Sequence, residues 1–247
     1  MSCAGTTGQN ATTAPSSLNE TEVLAMIKLA DHTHKSTRKK ADLKQTWSRL
    51  QSALYASKPH PDLFWRVGRL AMQLSLIEEA RGAEWATECI KAAKMVIQHQ
   101  PNAVQGHLYA GICKSVLAKH QPSNSQELSK SAMQHARKAV ELDRFYENGA
   151  PNRLLGALLI YAPPWPTSVG DLDEGLEILE TLTKEFPQTP MNFFLLAEGY
   201  RKAELTVDAL RQYKRVLSFP PKGTWRHEGP ARRKQARQAV RNLKGKP

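Results

Sequence analysis

A recurring period, more than any single residue, limits what this chain can fold into. Near its C-terminal end Phe193, Leu196, Ala197, Tyr200, Ala209, Tyr213, Val216 and Pro221 fall at spacings that place a large residue one turn from a small one on each of two successive helices. Antiparallel helices approach closely only where small residues face each other, and the large neighbour fills the groove toward the next pair. Proline then closes the second helix, because it lacks an amide hydrogen and its ring clashes with the preceding turn. Pro187 stands 34 residues before Pro221, and Gly175, Leu179 and Leu182 repeat the second-helix pattern ahead of it.

Upstream, Ala132, Ala136 and Ala139 keep the same phase, with Arg144 where a closing proline belongs. Cys89, Ala93, Val96 and Pro101 keep it again, behind a first helix carrying Phe64, Val67, Gly68 and Ala71. The pattern is similar to the tetratricopeptide repeat. It predicts an all-α chain with strand content near zero, in which about four helical hairpins stack into a right-handed superhelix. The intervals from Pro101 to Arg144 and from Arg144 to Pro187 are each 43 residues, so long inserts are expected between the helices of a pair, in KHQPSNSQ and YAPPWPTSVG, with ARGAEW lengthening the first hairpin. The organisation that follows is a tether over 1–18, N-terminal helices over 19–60 that pack on the repeats, a repeat domain over 61–228, and a basic capping helix and tail over 229–247.

The tether reading rests on AGTTGQNATTAPSS, a run too small and polar to bury enough surface to offset its chain entropy. The tail reading rests on charge. The chain carries a formal +12, and eight basic residues with one acid, Glu228, lie between Arg226 and Lys246. Ala236, Ala239, Val240 and Leu243 recur there at helical spacing, which suits a cap on the array. No aromatic residue follows Trp225 to stack on bases, so nucleic acid is not expected as a partner.

Enzyme chemistry finds no footing. No two of the eight histidines stand four apart as in HExxH, and neither G-x-S-x-G nor a Walker loop is present. No metal site, cofactor or catalytic residue is expected, and the three cysteines, Cys3, Cys89 and Cys113, have no CxxC spacing. Cys89 and Cys113 read as free, small core residues rather than a disulfide pair.

One stretch breaks the plain helical texture: GAPNRLLGALLIYAPPWPTSVGD, residues 149–171. Pro163 is expected to end a helix and Asp171 to cap the next. A hairpin turn needs only a few residues, so a loop of about ten stiffened by proline points to a requirement beyond connection. Trp165 either covers the hairpin's own core or forms a pocket wall. Arg153 either pairs with Asp171 or Glu174 or meets a ligand carboxylate.

Gly149, Pro151, Arg153, Leu155 and Gly156, then Pro163, Pro164, Trp165 and Pro166, then Gly170 and Asp171, then Asn192, Phe194, Leu196, Ala197 and Glu198 resemble the signature of TatT, the T component of TRAP transporters. The resemblance spans roughly 61–243. It implies a helical-repeat accessory lipoprotein of the periplasm, held at a membrane by a lipid on Cys3 after export of a longer precursor. The charge of the basic tail, which has no counterpart in the family pattern, adds an expected contact with an anionic surface. It also implies a homo-oligomer, a TRAP-type periplasmic solute-binding protein as partner, and a small hydrophobic or carboxylate ligand. Arg153, Trp165, Asn192, Phe193, Phe194 and Tyr200 become the contact residues, shaping a cleft between the third and fourth hairpins. The alternative is a tetratricopeptide scaffold similar to the regulator of microtubule dynamics proteins, which would hold a peptide or protein partner along a groove bearing Arg66, Lys114, Arg153, Asn192 and Arg201.

Overall fold

A computed structural model describes residues 17–56, 58–164 and 167–243. Cys3, Trp165 and Pro166 lie outside them. Eleven α-helices make up the described chain: α1 (Glu20–Ser36), α2 (Lys40–Leu50), α3 (Pro61–Ile77), α4 (Gly82–His99), α5 (Val104–His120), α6 (Ser125–Asp143), α7 (Tyr146–Tyr161), α8 (Leu172–Glu185), α9 (Pro190–Lys202), α10 (Thr206–Ser218) and α11 (Trp225–Leu243). No strand occurs among the described residues, only an isolated bridge between Pro164 and Gly170.

Local chemistry sets several helix ends. Asn19 accepts from the Glu22 amide while Glu22 accepts from the Asn19 amide, a reciprocal cap that starts α1. Pro61 and Pro190 open α3 and α9, where a missing amide hydrogen costs nothing. Asp171 caps α8 by accepting from the Glu174 amide at 3.0 Å, as expected.

The helices pair in chain order, α1 with α2 through α9 with α10, and α11 closes the end. Small residues set the pairing distances: Ala132, Ala136 and Ala139 on α6 are fully buried. A Cβ on Gly156 would come within 2.8 Å of Leu179, so α7 and α8 close this tightly only over glycine. At the N-terminal end the α1–α2 pair is joined to the array by Asp31, whose carboxylate accepts from Arg66 and Arg69 of α3. At the C-terminal end α11 begins at Trp225, ahead of the expected start at residue 229.

Two expectations are corrected. The extra residues of the first two repeats do not form loops. They lengthen helices, since α3 to α6 run 17 to 19 residues against 13 for α9 and α10, and of the three inserts only the one at 162–171 is a long connection. Cys89 of α4 and Cys113 of α5 are not free thiols but a disulfide, with Cα atoms 6.1 Å apart and both residues fully buried. They stand 24 residues apart, and only the packing of one hairpin on the next brings their Cβ atoms into range.

Candidate functional site: the groove between α9 and α11

Successive odd-numbered helices touch one another along the array, while the even-numbered ones are spread apart. The odd layer is therefore the inner, concave face, and its side chains decide what the protein can hold. At the N-terminal end Trp65 of α3 stacks on Tyr109 of α5, with the Arg66 and Arg69 guanidinium groups over its ring. Arg69 and Gln73 are almost fully buried, and Gln73 pairs with His34 of α1 at 2.7 Å. Burial and the charges of Arg69 and Arg38 push His34 down to about 3, so it is neutral at ordinary pH.

In the middle of the layer the chain turns sharply into α7. Glu147, Asn148 and Gly149 take φ of 44°, 55° and 79°, a left-handed run that swings the helix direction after α6. Only glycine serves at 149, since a Cβ there would sit 2.3 Å from Leu182 and 2.9 Å from the Phe186 ring. Pro151 then falls where the regular helix resumes. Arg153 holds this turn, donating to the Asn148 and Glu147 carbonyls at 3.1 and 3.3 Å and to Asn192 Oδ1 at 2.9 Å. Asn192, fully buried on α9, passes the link on by donating to the Leu182 carbonyl at 3.4 Å. Arg153 thus pairs with neither Asp171 nor Glu174; Glu174 is engaged by Arg137 of α6.

The loop after α7 is pinned by its backbone. Gly170 donates to the Pro163 carbonyl at 2.9 Å, Ser168 to Pro164 at 3.1 Å and Asp171 to Leu159 at 3.0 Å. Gln126 of α6 donates to the Thr167 carbonyl at 2.9 Å, tying the loop to the preceding hairpin. The interface between the third and fourth hairpins is packed with Ile160, Leu176, Leu179, Leu182 and Leu196.

The opening lies one helix further on. A groove of about 1040 Å³ separates α9 from α11. Phe194, Glu198 and Arg201 form one wall, and Arg232, Gln235, Gln238 and Ala239 the other, with Tyr161 and Lys119 at the rim. The Arg232 guanidinium lies 5.2 Å from the Phe194 ring centre, giving the groove a floor that is apolar with a cation over it. Glu198 is already committed: it accepts from Arg201 at 2.9 Å and from the Tyr213 hydroxyl. Burial and the Glu198 carboxylate push the Tyr161 hydroxyl up to about 12, so it stays a neutral donor. Arg232 and Lys119 make no ion pair among the described residues.

Of the contact residues singled out in the sequence, Phe194 and, from the scaffold alternative, Arg201 reach this groove, beside Glu198 of the motif and Ala239 of the tail. Phe193 turns to the other side of α9, 5.5 Å from Phe219 in the C-terminal core. Tyr200 reaches back to α8, where its hydroxyl donates to Glu180 at 2.7 Å. The sequence reading missed Lys119, Tyr161 and Arg232. The signal for Arg232 was present, because the helical spacing of the basic tail fixes which arginines turn inward with Ala236 and Ala239.

No family model matches the chain, and no curated relative matches it. Among solved structures it is similar to a thermophilic tetratricopeptide-repeat protein of Thermus thermophilus, with a TM-score of 0.65 at 15% identity, covering 90% of this chain and 98% of that one. It is also similar to YrrB, described as a tetratricopeptide-repeat protein with an unusual peptide-binding site, with a TM-score of 0.47 at 17% identity over 87% of this chain and 94% of that one. Yeast Tom70 gives a TM-score of 0.49 at 15% identity, over 90% of this chain and 47% of that one. The fold is the tetratricopeptide-like superhelix.

Proposed function

We propose that the protein is a non-catalytic scaffold that holds an extended, acidic segment of a protein partner in the groove between α9 and α11. The groove carries the reading: an open channel with an aromatic floor and, at its edge, two cations that make no ion pair among the described residues. Phe194 and Tyr161 take an apolar side chain, while Arg232 and Lys119 meet carboxylates on either side of it. The test is fluorescence anisotropy with a labelled peptide alternating Glu and Leu, against a Lys and Leu control. Arg232→Glu together with Tyr161→Ala, both at solvent-accessible positions, is expected to weaken the acidic peptide more than tenfold while the melting temperature holds. Equal binding of the acidic and basic peptides would refute the reading.

A second reading is favoured by the Cys89–Cys113 disulfide, which suits an oxidising compartment such as the periplasm. In it the scaffold is a TRAP-type accessory lipoprotein, anchored through Cys3, with a solute-binding protein as the partner and a hydrophobic or organic-acid ligand. Arg226, Lys234, Arg237 and Arg241 project outward along one side of α11 and suit an anionic membrane surface. Reversing the last three charges should release the protein from anionic vesicles. Unchanged retention of both that variant and Cys3→Ser in native membranes would exclude this placement.

A further inference from the structure

Glu228 is the sole acid in the basic C-terminal segment, and its place is specific. Its carboxylate accepts from Arg38 Nη2 at 2.8 Å, across 190 residues of sequence. Arg38 sits in the turn between α1 and α2, at the opposite end of the array from α11. Its guanidinium is fixed from behind, where Nη1 donates to the His34 carbonyl at 2.5 Å and the Thr37 carbonyl at 2.8 Å, and the side chain is only 13% exposed. The arginine is thus held with one edge presented inward, and Glu228 fills that edge.

Glu228 and the groove wall share one helix, which is seated through Trp225 and Ala236 on the core of Phe193, Phe194, Tyr213, Val216 and Phe219. Arg232, Gln235 and Ala239 lie on the same helix as Glu228, one to three turns further on, so the position of α11 sets the width of the channel. Ahead of the helix, Pro220 and Pro221 precede Gly223, which has φ of +54° and open space around its α-carbon. Glu228 is 39% exposed, and an ion pair at such a site contributes little to stability. A contact that weak is a poor staple and a good latch.

We propose that Glu228 is a resident carboxylate that fixes the start of α11 against Arg38, and that an acidic partner segment takes its place there, letting the helix shift on its apolar seat and widening the groove. The proposal rests on the scaffold reading above and adds that the protein is closed by its own acid until a partner competes. The partner carboxylate would meet the arginine with a bidentate geometry that one glutamate tethered to a helix does not make here.

The experiment uses the full chain with Cys3→Ser, the disulfide intact, and spin labels at the exposed positions 40 and 234, introduced as Lys40→Cys and Lys234→Cys. Distances are read by pulsed electron resonance alongside affinity for the Glu and Leu peptide. Glu228→Gln is expected to lengthen and broaden the distance distribution, to raise peptide affinity roughly threefold to tenfold, and to remove the widening that the peptide causes in the parent protein. Arg38→Gln should widen the distances equally but weaken the peptide. Unchanged distances and affinity in Glu228→Gln would overturn the latch. Failure of the groove itself shows differently, as a peptide that binds no variant while the latch still opens in Glu228→Gln, and that outcome overturns the partner half of the proposal.

Discussion

Arg153 is the residue on which most of the inner layer converges. It serves three acceptors at once, two of them carbonyls of a left-handed turn and one the fully buried amide of Asn192. Arg153→Ala strips all three of their donor, and a buried acceptor left unpaired costs about 1–3 kcal/mol. Loss of roughly 2–3 kcal/mol in urea unfolding is expected, and Arg153→Lys should recover less than half, since one ammonium cannot span that fork. A variant of parental stability would show that the residue serves a ligand instead. Glu78 makes a different case. Hydrogen bonds from Lys44 and then Trp85 hold its carboxyl down to about 2, below its ordinary 4.5. A folded-state pKa lowered in this way adds stability above pH 4.5 that fades as pH falls toward 2. The melting-temperature gap between the parent protein and Glu78→Gln is therefore expected at about pH 6 and should vanish near pH 2. A constant gap would contradict the assignment.

At the scale of elements, the helices were legible in the sequence and their connections were not. Ala132, Ala136 and Ala139 announced α6, and Asp171 announced α8, because an apolar period and a cap are local signals. The 43-residue spacings were equally plain, yet nothing local says whether extra residues extend a helix or loop out of it; packing against the longer neighbouring hairpins decides. The disulfide was hidden for the same reason, since its two cysteines meet only across hairpins. The groove was legible in part. Phe194 was found through its place on α9, whereas Tyr161 and Arg232 come from elements that only the superhelix brings together. Closing a loop of this length by a disulfide contributes about 3 kcal/mol. Replacing both cysteines by alanine should lower the unfolding free energy by about that much, plus what the smaller side chains lose in the core. No change on reduction of the intact protein, with two free thiols confirmed by titration, would show that the bond is not structural.

For the whole molecule, the array is a line of hairpins in which each touches its neighbours, and such a line comes apart from an end. The two ends here are not equivalent. The latch between Arg38 and Glu228 joins them weakly, while α4 and α5 are joined covalently. Under tension applied at residues 20 and 243, the latch gives first and the C-terminal hairpins peel away in steps. The chain between Cys89 and Cys113 then bears no load, because the sulfur bridge carries it. The 24 Cα-to-Cα steps from Cys89 to Cys113 would otherwise extend by roughly 80 Å. In an optical trap, adding a reductant should lengthen the fully extended molecule by about that distance, so the contour length itself becomes a gauge of the redox state in which the protein was made.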